Sequence, residues 1–290
     1  MIISTGDIST IMPFLSQIHV PQSVSHKGQN GKVLIIGGSS LFHGAVLWSA
    51  EAASQIVDMV HVASTDENNE IIQKIKTKWQ TGMVISQKQI LQYAKEDNVV
   101  LIGNGMMRVG DEGKFTKEIV HNLITHFPDK QFVFDAGALQ MMEVKWLLLL
   151  HKKAIVTPHQ KEFQTLFGID LTSLSTAEKE KVVQQTAQAH SCIILLKAID
   201  DIISDGNKTV QVQGGNAGLT KGGTGDILAG LTSGMSASSD PFSSAVVASF
   251  LLKKTAEELF DTKGYWYTAK DILSLFPSIF HSLTKEQREV

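Results

Sequence analysis

The chain has 290 residues, of which 43% are hydrophobic, 19% are charged and only six are proline. This composition excludes a disordered, collagen-like or coiled-coil protein and is typical of a globular chain with a large core. The formal net charge is −3 and no basic run is interleaved with aromatic residues, which argues against nucleic acid as a partner.

The cysteine content and the apolar stretches indicate where the protein works. The single cysteine, Cys192, lies in an apolar run, so we interpret it as a small buried hydrophobe in a reducing compartment. The first twelve residues contain Asp7 and no Lys or Arg, which is not typical of a signal peptide. The apolar stretches are all shorter than the ~20 residues that span a bilayer. We expect a cytoplasmic protein without membrane contact.

Short, almost continuously apolar runs alternate with helical patterns from the start of the chain. The predicted strands cover residues 32–37, 61–64, 99–103, 132–135, 154–157 and 193–197. The predicted helices between them cover residues 45–57, 112–127, 161–167 and 176–189, the last opened by Ser175 and Glu178 at capping-box spacing. Apolar strands that alternate with helices are typical of a mainly parallel sheet covered on both faces.

The pattern changes after residue 197. Residues 202–204 and 210–212 predict an antiparallel hairpin, because Asp205-Gly206-Asn207 between them is typical turn sequence. Three helices are predicted next, over residues 226–235, 242–260 and 269–280. Without a repeat or a linker-like stretch, we predict one domain over residues 1–290. Its predicted fold class is α/β, with three α/β/α layers, a mainly parallel central sheet and an antiparallel edge hairpin.

The most informative segment is the glycine-rich stretch from Gly214 to Asp226, which ends where a helix is predicted. Glycines allow backbone N–H groups to converge, and a helix start adds its positive dipole end, so this place suits a phosphoryl group. We define the anion hole as residues 222–225: Gly222, Gly223, Thr224 and Gly225. Asp226 beside it could accept a hydroxyl proton during phosphoryl transfer. Alternatively, the glycines form only a tight turn and Asp226 complements the helix dipole.

Residues 219–230, Leu-Thr-Lys-Gly-Gly-Thr-Gly-Asp-Ile-Leu-Ala-Gly, closely resemble the signature of the ADP/ATP-dependent NAD(P)H-hydrate dehydratases of the ribokinase-like superfamily. Four further segments resemble that family in the same order: residues 32–45, 99–105, 134–139 and 157–162. The resemblance spans residues 25–260 and implies a ribokinase-like fold.

The resemblance also implies roles for individual residues, with Asp226 as the catalytic base. Contacts to the hydrated nicotinamide are implied for Ala45, Gly105, His159 and Asp226. Contacts to an adenine nucleotide are implied for Lys197, Ala198, Ile199, Asp200, Asp201, Asn216 and Gly225. Asp135 and Glu162 are candidates for holding Mg²⁺, a hard cation that prefers oxygen ligands.

Several of these positions also have purely structural interpretations, and some depart from the family pattern. His159 could be a hydrogen-bonded structural group, Glu162 a first-turn acid of a helix and Lys197 a strand-end lysine. The family usually has proline, glycine and threonine where this chain has Asn104, Ala198 and Asp201. It usually has a second acid at Gly137 and asparagine at Gln140.

The implied activity is the ADP- or ATP-dependent dehydration of the 6S-hydrate of NADH or NADPH through a phosphorylated intermediate. Mg²⁺, a homotetrameric assembly and pairing with a separate NAD(P)H-hydrate epimerase belong to the same expectation. Two alternatives remain. One is a small-molecule kinase of the same superfamily, acting on a thiamin-precursor alcohol, and the other is a catalytically silent nucleotide-binding protein.

Overall fold

The computed structural model describes residues 1–289, and their side chains as far as residue 285. The strands are β1 (Ile2–Ser4), β2 (Lys32–Ile36), β3 (Met59–Ala63), β4 (Gly82–Ile85), β5 (Val99–Ile102), β6 (Gln131–Phe134), β7 (Ile155–Val156), β8 (Ile193–Leu196), β9 (Asp201–Ser204) and β10 (Thr209–Gln213). The α-helices are α1 (Met12–Leu15), α2 (Gly44–Ser54), α3 (Asp66–Ile75), α4 (Ile90–Glu96), α5 (Gly110–His126), α6 (Ala136–Met141), α7 (Gln160–Phe167), α8 (Thr176–Ala189), α9 (Thr224–Ser236), α10 (Pro241–Lys263) and α11 (Ala269–Glu289).

All ten strands belong to one sheet in the order β1-β10-β9-β8-β7-β6-β5-β2-β3-β4. Neighbouring strands are parallel except at β9, which is antiparallel to both β8 and β10. The mainly parallel sheet and the predicted hairpin are therefore confirmed. The hairpin does not form the edge itself, because β1 pairs in parallel with β10 and adds one more strand. With three residues, β1 is too short to show a periodic pattern in the sequence.

The central strands send alternate side chains to two separate cores, which makes the molecule three layers deep. In β2, Val33 and Ile35 belong to a core shared with α2, α9, α10 and α11. The intervening Leu34 and Ile36 belong to a second core shared with helices α4 to α8. A sheet that buries both faces needs apolar residues at consecutive positions, which is the pattern that predicted these strands.

Six of the seven predicted helices occur with their ends shifted by at most three residues, whereas α11 continues nine residues beyond its predicted end at residue 280. The predicted capping box at α8 is present, with the Ser175 Oγ accepting from the Glu178 N–H. The sequence pattern missed β1, β4, α1, α3, α4 and α6, which are short or mostly polar. Among the described residues, no helix combines the length and apolar character that a membrane crossing requires.

The close packing of α2 against α9 fixes the position of the first turn of α9. Gly230 of α9 lies against the backbone of α2, because a Cβ there would be only 2.4 Å from the Ser49 carbonyl oxygen. The Ser49 hydroxyl also donates to the Asp226 carbonyl over 3.0 Å. Asp226 is thus held at the carboxyl ends of the parallel strands, where α/β sheets commonly bind ligands.

Candidate active site

Asp226 is connected to the ends of two central strands through one side chain. Asn104 follows β5 after one intervening glycine, and Asp135 directly follows β6. The Asn104 Nδ2 donates to Asp226 Oδ1 over 2.9 Å and to Asp135 Oδ2 over 2.9 Å. Asn104 is fully buried, so this single amide fixes the spacing of the two carboxylates.

The environment of Asp226 shifts its acid–base properties. Burial raises the pKa of Asp226 from 3.8 to about 6. The hydrogen bond from Asn104 and the charge of Lys197 oppose this rise in pKa, whereas the carboxylates of Asp135 and Glu162 add to it. A general base works best when its pKa lies near the working pH. Asp226 is therefore suited to take a proton near neutrality.

Lys197 brings a positive charge to the same cluster. Its Nζ lies 2.7 Å from Asp135 Oδ1 and 3.7 Å from Glu162 Oε2. Burial acts to lower the pKa of Lys197, but these two carboxylates outweigh burial and raise it. The lysine is therefore fully charged at neutral pH. A Cβ on Gly225 would be 3.7 Å from the Lys197 Nζ, so the ammonium lies beside the first turn of α9.

The anion hole begins α9 without a side-chain cap. Gly223 is the N-cap residue and carries no side chain that could accept from the first-turn N–H groups. The Thr224 hydroxyl points back and donates to the carbonyls of Leu219 and Lys221, over 2.7 and 2.9 Å. The first N–H groups of a helix have no partner within the helix, so this end can accept an anion.

Two of the residues implied in hydrate binding, Ala45 and Gly105, are neighbours in space. Gly105 has φ +68°, and a Cβ there would be 2.7 Å from the Ala45 Cβ, so only glycine allows this approach. The Gly38 N–H donates to the Asn104 carbonyl over 2.6 Å. The structure thus gathers Ala45, Gly105 and Asp226 around Asn104.

His159 is the N-cap residue of α7. Its Nδ1 accepts from the N–H groups of Lys161 and Glu162, over 3.1 and 3.2 Å. Glu162 Oε2 in turn accepts from the His159 N–H over 2.9 Å, which completes a capping box. Both residues therefore have the structural role considered from the sequence. A parallel bridge between His159 and Lys197 also brings the half-exposed imidazole to the site.

The two candidate metal ligands already have protein partners. Asp135 accepts from Lys197 and Thr157 at Oδ1 and from Asn104 at Oδ2. Glu162 Oε1 accepts from the Gln140 Nε2 over 3.2 Å. No group of three or more potential metal-ligating side chains occurs among the described residues. This donor set fits a largely hydrated Mg²⁺ that arrives bound to nucleotide phosphates, rather than one enclosed by protein.

A small cleft of about 100 Å³ lies on one side of Asp226. We call it the Lys197 cleft, and it is lined by Lys197, Ala198, Asp201, Leu219, Thr224, Gly225, Leu228, Leu252 and Lys253. Four of the residues implied in nucleotide binding are among them. Ile199, Asp200 and Asn216 are not: the Ile199 side chain is 91% exposed, and Asp200 accepts from Gln211. The Asn216 Oδ1 accepts from Gly218 and Tyr267 and fixes its own loop.

A larger cavity of about 330 Å³ adjoins the loop that carries Gly105. We call it the Met106 cavity. Its wall includes Gly37, Gly38, Met106 and Met107, and Phe115 of α5 adds an aromatic surface. Fifteen residues line it, and none of them is Lys, Arg or His.

Sequence reasoning did not identify Asn104, Phe115 or Lys253 as site residues. Asn104 stands between two glycines at a strand end, and Lys253 interrupts the apolar run of α10. Either feature could have marked its residue as unusual. Phe115 offers no such signal, because an aromatic residue on a helix most often belongs to a core.

The chain is similar to known proteins over most of its length. The profile of the family described as NAD(P)H-hydrate dehydratase matches residues 33–278. The chain is 32% identical to an ADP-dependent (S)-NAD(P)H-hydrate dehydratase of Cenarchaeum symbiosum, over 88% of this chain and 90% of that protein. It is 34% identical to a bifunctional NAD(P)H-hydrate repair enzyme of Methanocaldococcus jannaschii, over 91% of this chain but only 51% of that relative. The chain thus spans about half the length of the bifunctional relatives.

Solved structures support the fold. A ribokinase-like superfamily protein of Enterococcus faecalis superimposes with a TM-score of 0.81 at 23% identity, covering 97% of this chain and 95% of that one. An ADP/ATP-dependent NAD(P)H-hydrate dehydratase of Bacillus subtilis, co-crystallised with ATP and Mg²⁺, superimposes with a TM-score of 0.79 at 21% identity, covering 96% of this chain and 97% of that one. The fold is therefore ribokinase-like, and the chain belongs to the NAD(P)H-hydrate dehydratase family.

Proposed function

We propose that the protein uses ADP or ATP to dehydrate the 6S-hydrate of NADH or NADPH and so restores the reduced coenzyme. The observation that carries this proposal is the position of Asp226. Its carboxylate, with a pKa of about 6, lies in the uncapped first turn of α9 and is flanked by Lys197 and Asn104. A base and a phosphoryl-binding site thus occupy the same turn.

The chemistry follows from that arrangement. Hydroxide is a poor leaving group, whereas phosphate leaves readily. Asp226 accepts the proton of the ring hydroxyl while the hydroxyl oxygen of the hydrate attacks the terminal phosphoryl group of the nucleotide. The anion hole amides and the Lys197 ammonium hold the oxygens of the transferring group. The ring nitrogen lone pair then expels phosphate and leaves an iminium ion. Transfer of the C5 proton to the departing phosphate or to water restores the dihydropyridine. ADP would yield AMP, orthophosphate and NAD(P)H.

We place the two substrates on opposite sides of Asp226. The nucleotide occupies the Lys197 cleft, with its phosphates toward Gly225. The hydrated ring contacts Ala45, Gly105 and His159, and an uncharged part of the dinucleotide extends into the Met106 cavity. The acidic residues of that cavity, Asp66, Asp111 and Glu112, keep the diphosphate outside it. This assignment is supported by the shared loop, since Met106 follows Gly105 directly.

Mg²⁺ would bind with the nucleotide and neutralise its phosphates. Asp135 and Glu162 would hold its water ligands, because their oxygens face Lys197 at the same edge of the sheet. Their existing hydrogen bonds make indirect contact a better fit than direct ligation. For the protein itself, the proposal assigns proton transfer to Asp226 and charge compensation to Lys197.

The proposal extends to the organisation of the protein. Residues 1–290 would form one ribokinase-like domain, which the single ten-stranded sheet supports. The names of the bifunctional relatives favour pairing with a separate epimerase that converts the R-hydrate. We further propose a cytoplasmic homotetramer, as the family resemblance implies.

The test is to incubate the protein with NADH hydrate, Mg²⁺ and either ADP or ATP, and to follow recovery of the reduced-nicotinamide absorbance. Nucleotide-dependent recovery supports the proposal. Accumulation of a stable phosphorylated alcohol would favour a kinase, and binding of both ligands without turnover would favour a catalytically silent protein. Comparing the two nucleotides and the two hydrates also defines the preferred substrates.

A further inference from the structure

Helix α10 carries a buried lysine that the proposed reaction does not use. Lys253 is 3% exposed. Its Nζ donates to the Ile199 carbonyl over 2.6 Å and to the Gly214 carbonyl over 3.5 Å. One ammonium therefore bonds the backbones of two loops that are distant in sequence.

Asp201 supplies the opposite charge. It is 5% exposed, and its Oδ1 lies 3.8 Å from the Lys253 Nζ. Its Oδ1 also accepts from the Ala198 N–H over 2.8 Å, and its Oδ2 accepts from the Ser249 hydroxyl over 2.7 Å. Two buried charges are tolerated only when they are paired and hydrogen-bonded, and each would be costly without the other.

The next turn of α10 binds the loop at residues 214–216. Glu257 Oε1 accepts from the Gly215 N–H over 2.9 Å and from the Thr5 hydroxyl over 2.5 Å. The Ala256 carbonyl accepts from the Asn216 Nδ2 over 2.7 Å. One face of α10 thus fixes residues 198–201 on one side and residues 214–216 on the other. We call its residues Ser249, Lys253, Ala256 and Glu257 the α10 clasp.

The two loops border the cleft in which we place the nucleotide. Ala198, Asp201 and Lys253 line the Lys197 cleft directly, and the 214–216 loop leads into Leu219 on its wall. The cleft is narrow, at about 100 Å³, so a small change in loop spacing alters whether a ligand fits. A side chain that fixes the spacing of the two loops therefore influences the affinity for the nucleotide.

We propose that Lys253 is a positioning residue for the adenine nucleotide, which acts by holding the loops at residues 198–201 and 214–216 at the spacing that the nucleotide requires. This inference rests on the proposed use of ADP or ATP. Lys253 acts through the backbone of these loops and takes no part in proton or phosphoryl transfer. Its loss therefore affects the nucleotide and leaves hydrate binding unchanged.

The first experiment compares Lys253→Met with Lys254→Met. Methionine keeps most of the lysine volume and removes the charge. Lys254 is the matched control, because it is the next residue of α10 and pairs with Glu258 at the surface. We expect Lys253→Met to raise the Kd and the KM for ADP at least tenfold, with the KM for the hydrate within twofold of wild type. Lys254→Met should change none of these values more than twofold.

A second variant separates positioning from simple loss of stability. Lys253→Met leaves Asp201 buried without its partner, so its thermal midpoint should fall. In Lys253→Met/Asp201→Asn the unpaired charge is gone and the midpoint should recover, whereas the Kd for ADP should stay at least fivefold raised. Asp201→Asn alone gives the separate effect of that side chain on the Kd.

The outcomes are distinct from those of the proposed function. The inference is overturned if Lys253→Met binds ADP as wild type does, if the double variant recovers affinity together with stability, or if the wild-type protein binds neither ADP nor ATP. A protein that binds ADP but does not repair the hydrate contradicts only the proposed reaction. In that case the Kd for ADP, measured directly on the wild type and the Lys253 variants, still shows whether the α10 clasp supports nucleotide binding.

Discussion

The side-chain amide of Asn104 donates to the carboxylate of Asp226 over 2.9 Å, across 122 positions of the sequence. The same amide nitrogen donates to Asp135, and the Asn104 Oδ1 is buried without a hydrogen-bond partner among the described residues. The two donors of this one side chain therefore serve both carboxylates.

Replacing Asn104 with leucine should move the pH dependence of the reaction. The hydrogen bond from Asn104 lowers the pKa of Asp226, so removal of that bond should raise the pKa further. The base must be ionised to accept a proton. The acidic limb of the pH profile of kcat/KM should therefore shift to higher pH. A profile that coincides with that of the wild type would show that Asn104 does not tune the base.

Asp226→Asn should lose activity and gain stability. Without the carboxylate, kcat should fall about 10²- to 10⁴-fold, whereas the Kd for ADP should change little. A carboxyl with a raised pKa binds its proton more tightly in the folded chain than in the unfolded one. The charge of Asp226 thus costs stability above about pH 6, and this cost disappears as the pH falls toward 3.8.

The stability of the same variant is measured by denaturant unfolding at pH 8 and pH 4.5. At pH 8 it should exceed the wild type by about 1–3 kcal/mol, and the difference should shrink at the lower pH. An equal or lower stability at pH 8 would contradict the assigned environment of the carboxylate.

Gly225→Ala should keep the fold and impair nucleotide use. A Cβ at this position meets only the Lys197 Nζ at 3.7 Å, an ordinary contact, and alanine favours helix by up to about 1 kcal/mol. The added methyl group would, however, occupy the surface that we assign to the phosphates. We expect an unchanged or higher thermal midpoint and a KM for ADP raised at least tenfold. Gly6→Ala, at another open glycine that does not line the Lys197 cleft, serves as the control.

Phe115→Ala tests the Met106 cavity. If an uncharged part of the dinucleotide packs there, loss of the ring should raise the KM for NADH hydrate about tenfold and leave the KM for ADP unchanged. The partly exposed Phe260 of α10 lies on the opposite face of the sheet, and Phe260→Ala provides a matched truncation. Equal hydrate kinetics in the two variants would assign the dinucleotide to another surface.

Much of the fold could be predicted from the sequence because buried parallel strands require consecutive apolar residues. The runs at residues 32–37, 99–103 and 193–197 show this pattern and form β2, β5 and β8. β4 lies at the sheet edge with Met83 exposed, so its pattern is weak. α6 has six residues and follows β6 after one residue, which is too short for helical periodicity to show.

The candidate site was only partly predictable. The glycine-rich segment singled out Asp226 and the anion hole as candidates, since glycine density beside a helix start is a local feature of the chain. The pairing of Asn104 with Asp226 joins residues 122 positions apart and depends on the sheet order. The same holds for Lys253, whose charge is balanced by Asp201 on another element. Contacts between distant segments cannot be derived from spacing in one sequence.

The central claim is that the hydroxyl oxygen of the hydrate leaves as part of phosphate after Asp226 removes its proton. The most direct measurement uses NADH hydrate whose hydroxyl oxygen is ¹⁸O, with ADP and Mg²⁺, and determines the isotope content of the products by mass spectrometry. We predict one ¹⁸O in each orthophosphate released and one orthophosphate for each NADH recovered. Unlabelled orthophosphate, with the ¹⁸O in water, would contradict the account.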